Sequence, residues 1–196
     1  MNKIFNLINK FGGKVINAQI VKAFPRHSTR FAKKYFENKP ITVVEIGTFE
    51  GENAANILKE LNVEKLYIID PYKSYAEFGT RDPETEEKLP LAYYRAKKRL
   101  NKYKDKIVLL KKKSDESVND IPKADFVYID GNHAYEFVKN DIKNYFPKVK
   151  DGGILAGHDI TNVKFNKDIV KAVMEFCMKR KIVPFVSRTD WWFIKK

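Results

Sequence analysis

From Ile41 onward the chain keeps exchanging short apolar runs for longer stretches of helical spacing, and this alternation leaves few folds open. The runs are ITVVEI (41–46), KLYIID (65–70), KIVLL (106–110), ADFVYID (124–130) and GGILAG (152–157). Helices are predicted between them at about 51–61, 85–104, 134–146 and 167–180, with strands near 182–187 and 191–195. A run that is apolar without alternation reads as a strand covered on both faces, as in a parallel sheet. Strand and helix trading places argue a doubly wound α/β, Rossmann-like sheet of seven strands, with right-handed crossovers placing helices on both faces. Tyr135, Val138, Ile142 and Tyr145 form the apolar stripe that the 134–146 helix needs. The closing WWFIKK follows its predecessor after a short turn at Thr189-Asp190. Too few residues remain for a crossover, so that last strand must run antiparallel to its neighbour.

The segment before Pro40 is of another kind. Ile4, Leu7, Ile8 and Phe11 fall at helical spacing, Gly12-Gly13 stops that helix, and residues 28–38 read as a second helix beginning near Ser28. Residues 1–40 are therefore expected to form a basic helical N-terminal cap on a domain spanning 41–196. The cap holds nine Lys or Arg against one acid, Glu37, out of a net charge of +13, while the remaining chain is only mildly basic. Such an arm can steer anionic substrates, nucleic acid or a membrane surface, and it can equally be a solvated lysine-rich face. With 43% hydrophobic residues in 196, one core is expected and hardly two. No apolar run approaches the roughly 20 residues of a membrane span, and a secretory signal is not recognisable, so a cytoplasmic protein is expected. The single cysteine, Cys177, excludes an internal disulfide and a cysteine-rich zinc cluster, and is read as helix packing.

The first strand-to-helix turn is EIGTFEGEN, Glu45 to Asn53. Gly47 and Gly51 let backbone approach a ligand, and the next helix begins with free N–H groups. Asp70 ends the second strand, where it can accept both hydroxyls of a ribose. Adenosine binding follows. A dinucleotide would need G-x-G-x-x-G, but here Phe49 and Glu52 stand in the middle and last glycine positions and would meet a pyrophosphate with a ring and an acid. S-adenosylmethionine carries ribose and adenine without phosphates, and suits this acidic loop better.

Two later strand ends carry polar pairs. Asp130 and His133 leave the fourth strand, His158 and Asp159 the fifth, and neighbouring strand ends in an open parallel sheet share one crevice.

Through EIGTFEG, the acid in YIIDPY and the antiparallel last strand, residues 41–196 resemble the class I S-adenosylmethionine-dependent methyltransferases. The resemblance implies that Gly47, Phe49 and Gly51 line the methionine portion, that Asp70 holds the ribose, and that Ser114 and Asp115 flank the adenine. Glu45 would support the loop or reach the methionine amine. Capping of a helix at 115–120 is the alternative for Ser114 and Asp115. The stretch DGNHAYEFVKND (130–141) is similar to the DGxHxYxxVxxD motif of small-molecule, sugar- and antibiotic-type O-methyltransferases, and more distantly to catechol O-methyltransferase. In metal-dependent members the Asp130, His158 and Asp159 positions bind a divalent ion, Mg2+ or Mn2+. Here one ligand position is a histidine, which shifts preference toward Mn2+, Fe2+ or Zn2+. The alternative is that His158 is a hydrogen-bonding core histidine.

A hydroxyl is a poor nucleophile until its proton leaves. The resemblance places His133 where a general base stands, beside Asp130 in the reacting site, with helix capping as the alternative for His133. Tyr135 and Asp141 are read as packing and as a supporting or surface carboxylate. Two further readings remain at this point: an RNA methyltransferase or RNA-binding protein using the basic N-terminal segment, and attachment of residues 1–20 to a membrane surface. A lid or a homodimer element is the preferred role for the cap. The acceptor is expected to meet the cap and the 72–90 loop.

Overall fold

The computed structural model describes residues 5–8, 15–18, 24–73, 83–161 and 163–196. Two short strands come first, β1 (Phe5–Ile8) and β2 (Val15–Ala18), paired antiparallel with Phe5 opposite Ala18. This corrects the helix expected through Ile4, Leu7, Ile8 and Phe11. A short apolar run satisfies both periods, and the β-branched residues of VINA favour a ladder partner. The Gly12-Gly13 stop lies outside the described residues.

The remaining elements are α1 (His27–Phe36), β3 (Ile41–Ile46), α2 (Glu52–Glu60), β4 (Val63–Ile69), α3 (Pro83–Leu100), β5 (Ile107–Leu110), β6 (Ala124–Ile129), α4 (Tyr135–Tyr145), β7 (Val149–Gly157), α5 (Val163–Arg180), β8 (Phe185–Ser187) and β9 (Asp190–Ile194). Seven strands make one sheet in the order β5-β4-β3-β6-β7-β9-β8. All pairs from β5 to β7 are parallel, and β9 runs antiparallel to both β7 and β8. The fold is thus the Rossmann-like arrangement expected, with its switch point between β3 and β6.

Register positions the site. Ile46 pairs with Ile69 and with Ile129, and Ile129 pairs with Gly157, so these four residues form one row across β4, β3, β6 and β7. The next residues along are Asp70, Gly47, Asp130 and His158. The ladder continues one rung into them, with Gly47 N–H donating to Ile69 O at 2.9 Å, Asp130 N–H to Ile46 O at 2.8 Å and His158 N–H to Ile129 O at 3.2 Å. Four chemically distinct residues are therefore aligned by backbone pairing alone.

The core lies on both sides of the sheet. One layer packs Val44, Val127 and Leu155 against Val138, Ile142, Val173 and Cys177 of α4 and α5, while the other packs Val43, Leu66 and Phe126 against Ala32, Ala54 and Ile57 of α1 and α2. Cys177 is buried and unpaired in that packing, as expected. Helix α1 is fastened by Asp190, which is 1% exposed and accepts from Ser28 N at 2.9 Å and Ser28 Oγ at 2.6 Å. No helix among the described residues is long and apolar enough to cross a membrane.

Candidate active site

The turn after β3 is held from below and from the side. Glu45 is fully buried, and its carboxyl accepts from Thr48 Oγ1 at 2.5 Å and Asn53 Nδ2 at 2.9 Å. Burial pushes this carboxyl up to about 8, against the opposing effect of those hydrogen bonds. Asp70 closes the turn from β4: its Oδ2 accepts from Thr48 N at 3.0 Å and Phe49 N at 2.9 Å, and its Oδ1 from Tyr72 N at 2.9 Å. Gly47 sits at φ +77°, and a Cβ there would lie 2.1 Å from the Asp130 carbonyl oxygen. Phe49, Tyr72 and Asp159 also have positive φ, at 49°, 49° and 59°. Non-glycine residues in this region are uncommon and collect at functional turns.

Beside the turn, four polar side chains from β6 and β7 meet one from the segment before α1. His133 Nε2 is 3.6 Å from both Asp130 Oδ1 and Asp159 Oδ2. His158 Nδ1 is 3.1 Å from Asp159 Oδ1 and 3.8 Å from Asp130 Oδ1. Arg26 places NH1 at 2.5 Å from His158 Nε2, and NH2 at 4.0 Å from Asp130 Oδ2. A guanidinium can only donate, so His158 Nε2 must accept, and its ring proton sits on Nδ1, directed at Asp159. Asp159 is accordingly held below the ordinary carboxylate range by His158, while the facing Asp130 carboxylate holds His133 above its ordinary value.

A cavity of about 460 Å³ connects these two parts, lined by Phe24 and Arg26, by Gly47, Thr48 and Phe49 of the turn, by Asn53 and by Asp130. Phe49, 47% exposed, stands at its rim. Two buried polar atoms of lining residues have no hydrogen-bond partner, the acceptor Asn53 Oδ1 and the donor Arg26 Nε. Buried polar atoms are ordinarily paired, so two of opposite type in residues of one lining mark this part of the structure as incomplete in its hydrogen bonding.

Of the residues named from sequence, Gly47, Phe49 and Asp130 line the cavity. Glu45 lies beneath the turn rather than in it, and Asp70 spends most of its carboxylate on turn backbone. Gly51 serves helix packing, since a Cβ there would meet Leu100 Cδ1 at 3.1 Å and Ala96 Cα at 3.3 Å. Ser114 makes no side-chain cap; its Oγ donates to Asp141 Oδ1 at 2.5 Å, and Asp115 Oδ1 accepts from Glu116 N at 3.1 Å. Asp141 is 4% exposed, and burial pushes its carboxyl up to about 7. Tyr135 donates to Glu175 Oε2 at 2.5 Å. The ligand atoms of Asp130, His133 and Asp159 lie within 4.8 Å of one another, a grouping that takes His133 in place of His158. Sequence reasoning missed Arg26, Phe24 and the orphaned Asn53. Asn53 stood at the end of EIGTFEGEN, but nothing near Phe24-Pro25-Arg26 marked it. Residues 74–82 of the expected acceptor loop lie outside the described residues.

Comparison with known proteins agrees with this fold. A family model described as a methyltransferase domain matches residues 44–160. An uncharacterized protein of Acanthamoeba polyphaga mimivirus is 28% identical over 144 residues, covering 70% of this chain and 60% of that one. The chain thus spans about 60% of the length of that relative. The O-methyltransferase NovP superposes with a TM-score of 0.64 at 16% identity, over 86% of this chain and 78% of NovP. The MycE methyltransferase of the mycinamycin pathway, in complex with Mg, SAH and mycinamycin VI, gives 0.56 at 13% identity, over 89% of this chain and 50% of MycE. With the family model spanning more than half its length, from inside β3 to the end of the His158-Asp159 turn, the chain belongs to the methyltransferase domain family.

Proposed function

We propose that the chain is an S-adenosylmethionine-dependent O-methyltransferase acting on a small-molecule hydroxyl, with sugar hydroxyls the first class to test. The observation that carries this reading is the shared cavity: the turn after β3 and the Asp130 end of β6 form adjoining walls of one space. The methyl donor fits the wall chemistry. Its amino-acid end offers an ammonium donor for Asn53 Oδ1 and a carboxylate acceptor for Arg26 Nε, the two orphaned atoms. Asp70 Oδ1, which among the described residues accepts from Tyr72 N, keeps a lone pair for a ribose hydroxyl. S-adenosylmethionine supplies an electrophilic methyl on a sulfonium that leaves as a neutral thioether.

The protein's own part is to orient and to move one proton. The acceptor hydroxyl gives its proton to His133 Nε2 as oxygen forms its bond to the methyl carbon, and the imidazolium is steadied by Asp130 and Asp159. His133 is the most exposed of the cluster, so it returns the proton to solvent. Arg26 holds positive charge beside the developing oxyanion, and His158 with Asp159 fixes its position. Alignment of the reacting atoms supplies much of the acceleration. A divalent ion would be held by Asp130, Asp159 and His133, two carboxylates and an imidazole that suit Mn2+ better than Mg2+; it would occupy the His133 lone pair and supply Lewis acidity to the hydroxyl oxygen in place of the imidazole base. His158 does not join that set while Arg26 occupies its Nε2.

The test is calorimetric titration with S-adenosylhomocysteine, followed by incubation with methyl-labelled donor and separate pools of hydroxylated small molecules and bulk RNA, with and without Mn2+. Donor-product affinity with label in the small-molecule pool is expected. No affinity, or label confined to RNA, overturns the reading.

A further inference from the structure

The mild basicity beyond residue 40 hides a local extreme. Residues 88–113 hold eleven Lys or Arg against the single acid Asp105, and none lies between Lys88 and Lys104. A solvated helix of this kind ordinarily interleaves acids one turn away. In the fold the segment runs through the second half of α3, a 3₁₀ turn over Asn101–Lys106 and β5, an edge strand of the seven-stranded sheet, and its two ends meet where Lys97 and Lys111 share the Tyr93 ring. Some cations elsewhere on the surface are paired, as in Lys33 with Glu60 at 2.8 Å and Lys150 with Asp125 at 2.8 Å. On this face Arg95 and Arg99 are held by Glu50 and Glu52, and Lys112 by Asp120. Lys97, Lys98, Lys102, Lys104 and Lys111 have no carboxylate partner among the described residues.

Three of these ammonium groups also lie over aromatic rings. Lys97 Nζ and Lys111 Nζ lie 5.5 Å and 4.7 Å from the centroid of the same ring, Tyr93, and Lys102 Nζ lies 4.8 Å from that of Tyr103. Tyr94, 63% exposed, stands one helical turn before Lys98 with its ring in solvent. Crowded like charges repel, and a phosphodiester backbone relieves that repulsion while an open ring offers a stacking platform for a base.

We propose that this face docks single-stranded nucleic acid, with phosphates on the five unpaired lysines and a base on Tyr94. An anionic membrane is the poorer match, because among the described residues Leu91 and Tyr94 are the large apolar side chains exposed along this segment, too little for insertion. The inference goes beyond methyl transfer to a small molecule and does not depend on it.

The test measures anisotropy of a labelled oligouridylate with the full chain over a range of salt. Five phosphate contacts give a slope of log affinity against log salt of about −3.5, from about −0.7 per contact. The triple variant Lys97→Gln, Lys98→Gln, Lys102→Gln is expected to weaken binding by about tenfold or more at low salt and to flatten the slope by about 2. Tyr94→Ala is expected to lose oligouridylate affinity but not heparin affinity. Unchanged binding by the triple variant, absence of oligouridylate binding by the wild type, equal response of Tyr94→Ala to both polyanions, or preference for anionic vesicles that oligouridylate cannot displace would each overturn the proposal. S-adenosylhomocysteine affinity, expected unchanged in every variant, keeps this outcome separate from that of the methyl-transfer reading.

Discussion

Replacing Gly47 by alanine tests whether the turn after β3 and the tip of β6 are one mechanical unit. Two costs add. Gly47 has φ +77°, where a side chain costs about 1–2 kcal/mol. The new Cβ would lie 2.1 Å from the Asp130 carbonyl oxygen, whereas ordinary contact begins at 3.4 Å, so backbone must part by more than 1 Å. Overpacking of that kind costs about 1–3 kcal/mol, giving about 2–5 kcal/mol in all. Gly152→Ala separates the two terms: its φ is +74°, but its Cβ would meet nothing nearer than Tyr35 Oη at 3.9 Å, so about 1–2 kcal/mol is expected. The effect of alanine on the unfolded chain is common to both variants and cancels in the comparison. Urea unfolding measures the stabilities. A displacement of this size at Asp130 should also lower single-turnover methyl transfer by about 10²-fold in Gly47→Ala, with Gly152→Ala near the wild-type rate. Equal stability of the two variants, or full activity in Gly47→Ala, would refute the coupling.

Three further outcomes are expected. His133→Ala should slow turnover by about 10²-fold while S-adenosylhomocysteine affinity, read by calorimetry, stays near wild type; equal loss in both would remove the base assignment. Asp70→Ala strands the N–H groups of Thr48, Phe49 and Tyr72, so it should lower unfolding stability by about 1–3 kcal/mol as well as donor affinity; an affinity loss with unchanged stability would mean the ribose contact alone matters. Asp141 is raised from 3.8 to about 7 by burial, so the folded protein binds its proton more tightly than the unfolded chain does. Its stabilising contribution is full below about pH 3.8 and is lost as pH rises through about 7. Asp141→Asn should therefore gain stability relative to wild type across that window in urea titrations at stepped pH; parallel pH profiles would count against the burial argument.

The sheet was legible because its central strands are covered on both faces and read as unbroken apolar runs, and because the Thr189-Asp190 turn is too short for a crossover. The small β1–β2 ladder was not, since the spacing of Ile4, Leu7, Ile8 and Phe11 is helical and each paired run is only four residues long. At the site, strand-end position alone placed Asp130, His133, His158 and Asp159 together, and register explains why. What one residue does toward its neighbours was less visible. Loop support was one of the two roles legible for Glu45, whereas the hydrogen bonds of Asp70 to turn backbone and the packing of Gly51 on Leu100 and Ala96, distant in sequence, had no local signal. Arg26 carried no signal because, apart from the Phe24 ring under its guanidinium, what seats it is distant in sequence: Asp190 grips Ser28 across 162 residues.

That grip makes helix α1 a latch with a built-in reporter. The Ser28 amide is shielded from solvent only while it donates to buried Asp190, so its hydrogen exchange records how often the latch lifts. Because α1 lies against the sheet rather than within it, lifting it withdraws the Arg26 guanidinium and leaves the parallel strands paired. Local opening of this kind occurs at a free energy below that of global unfolding, and under the proposed methyl transfer it is the route by which the cavity beside Arg26 opens.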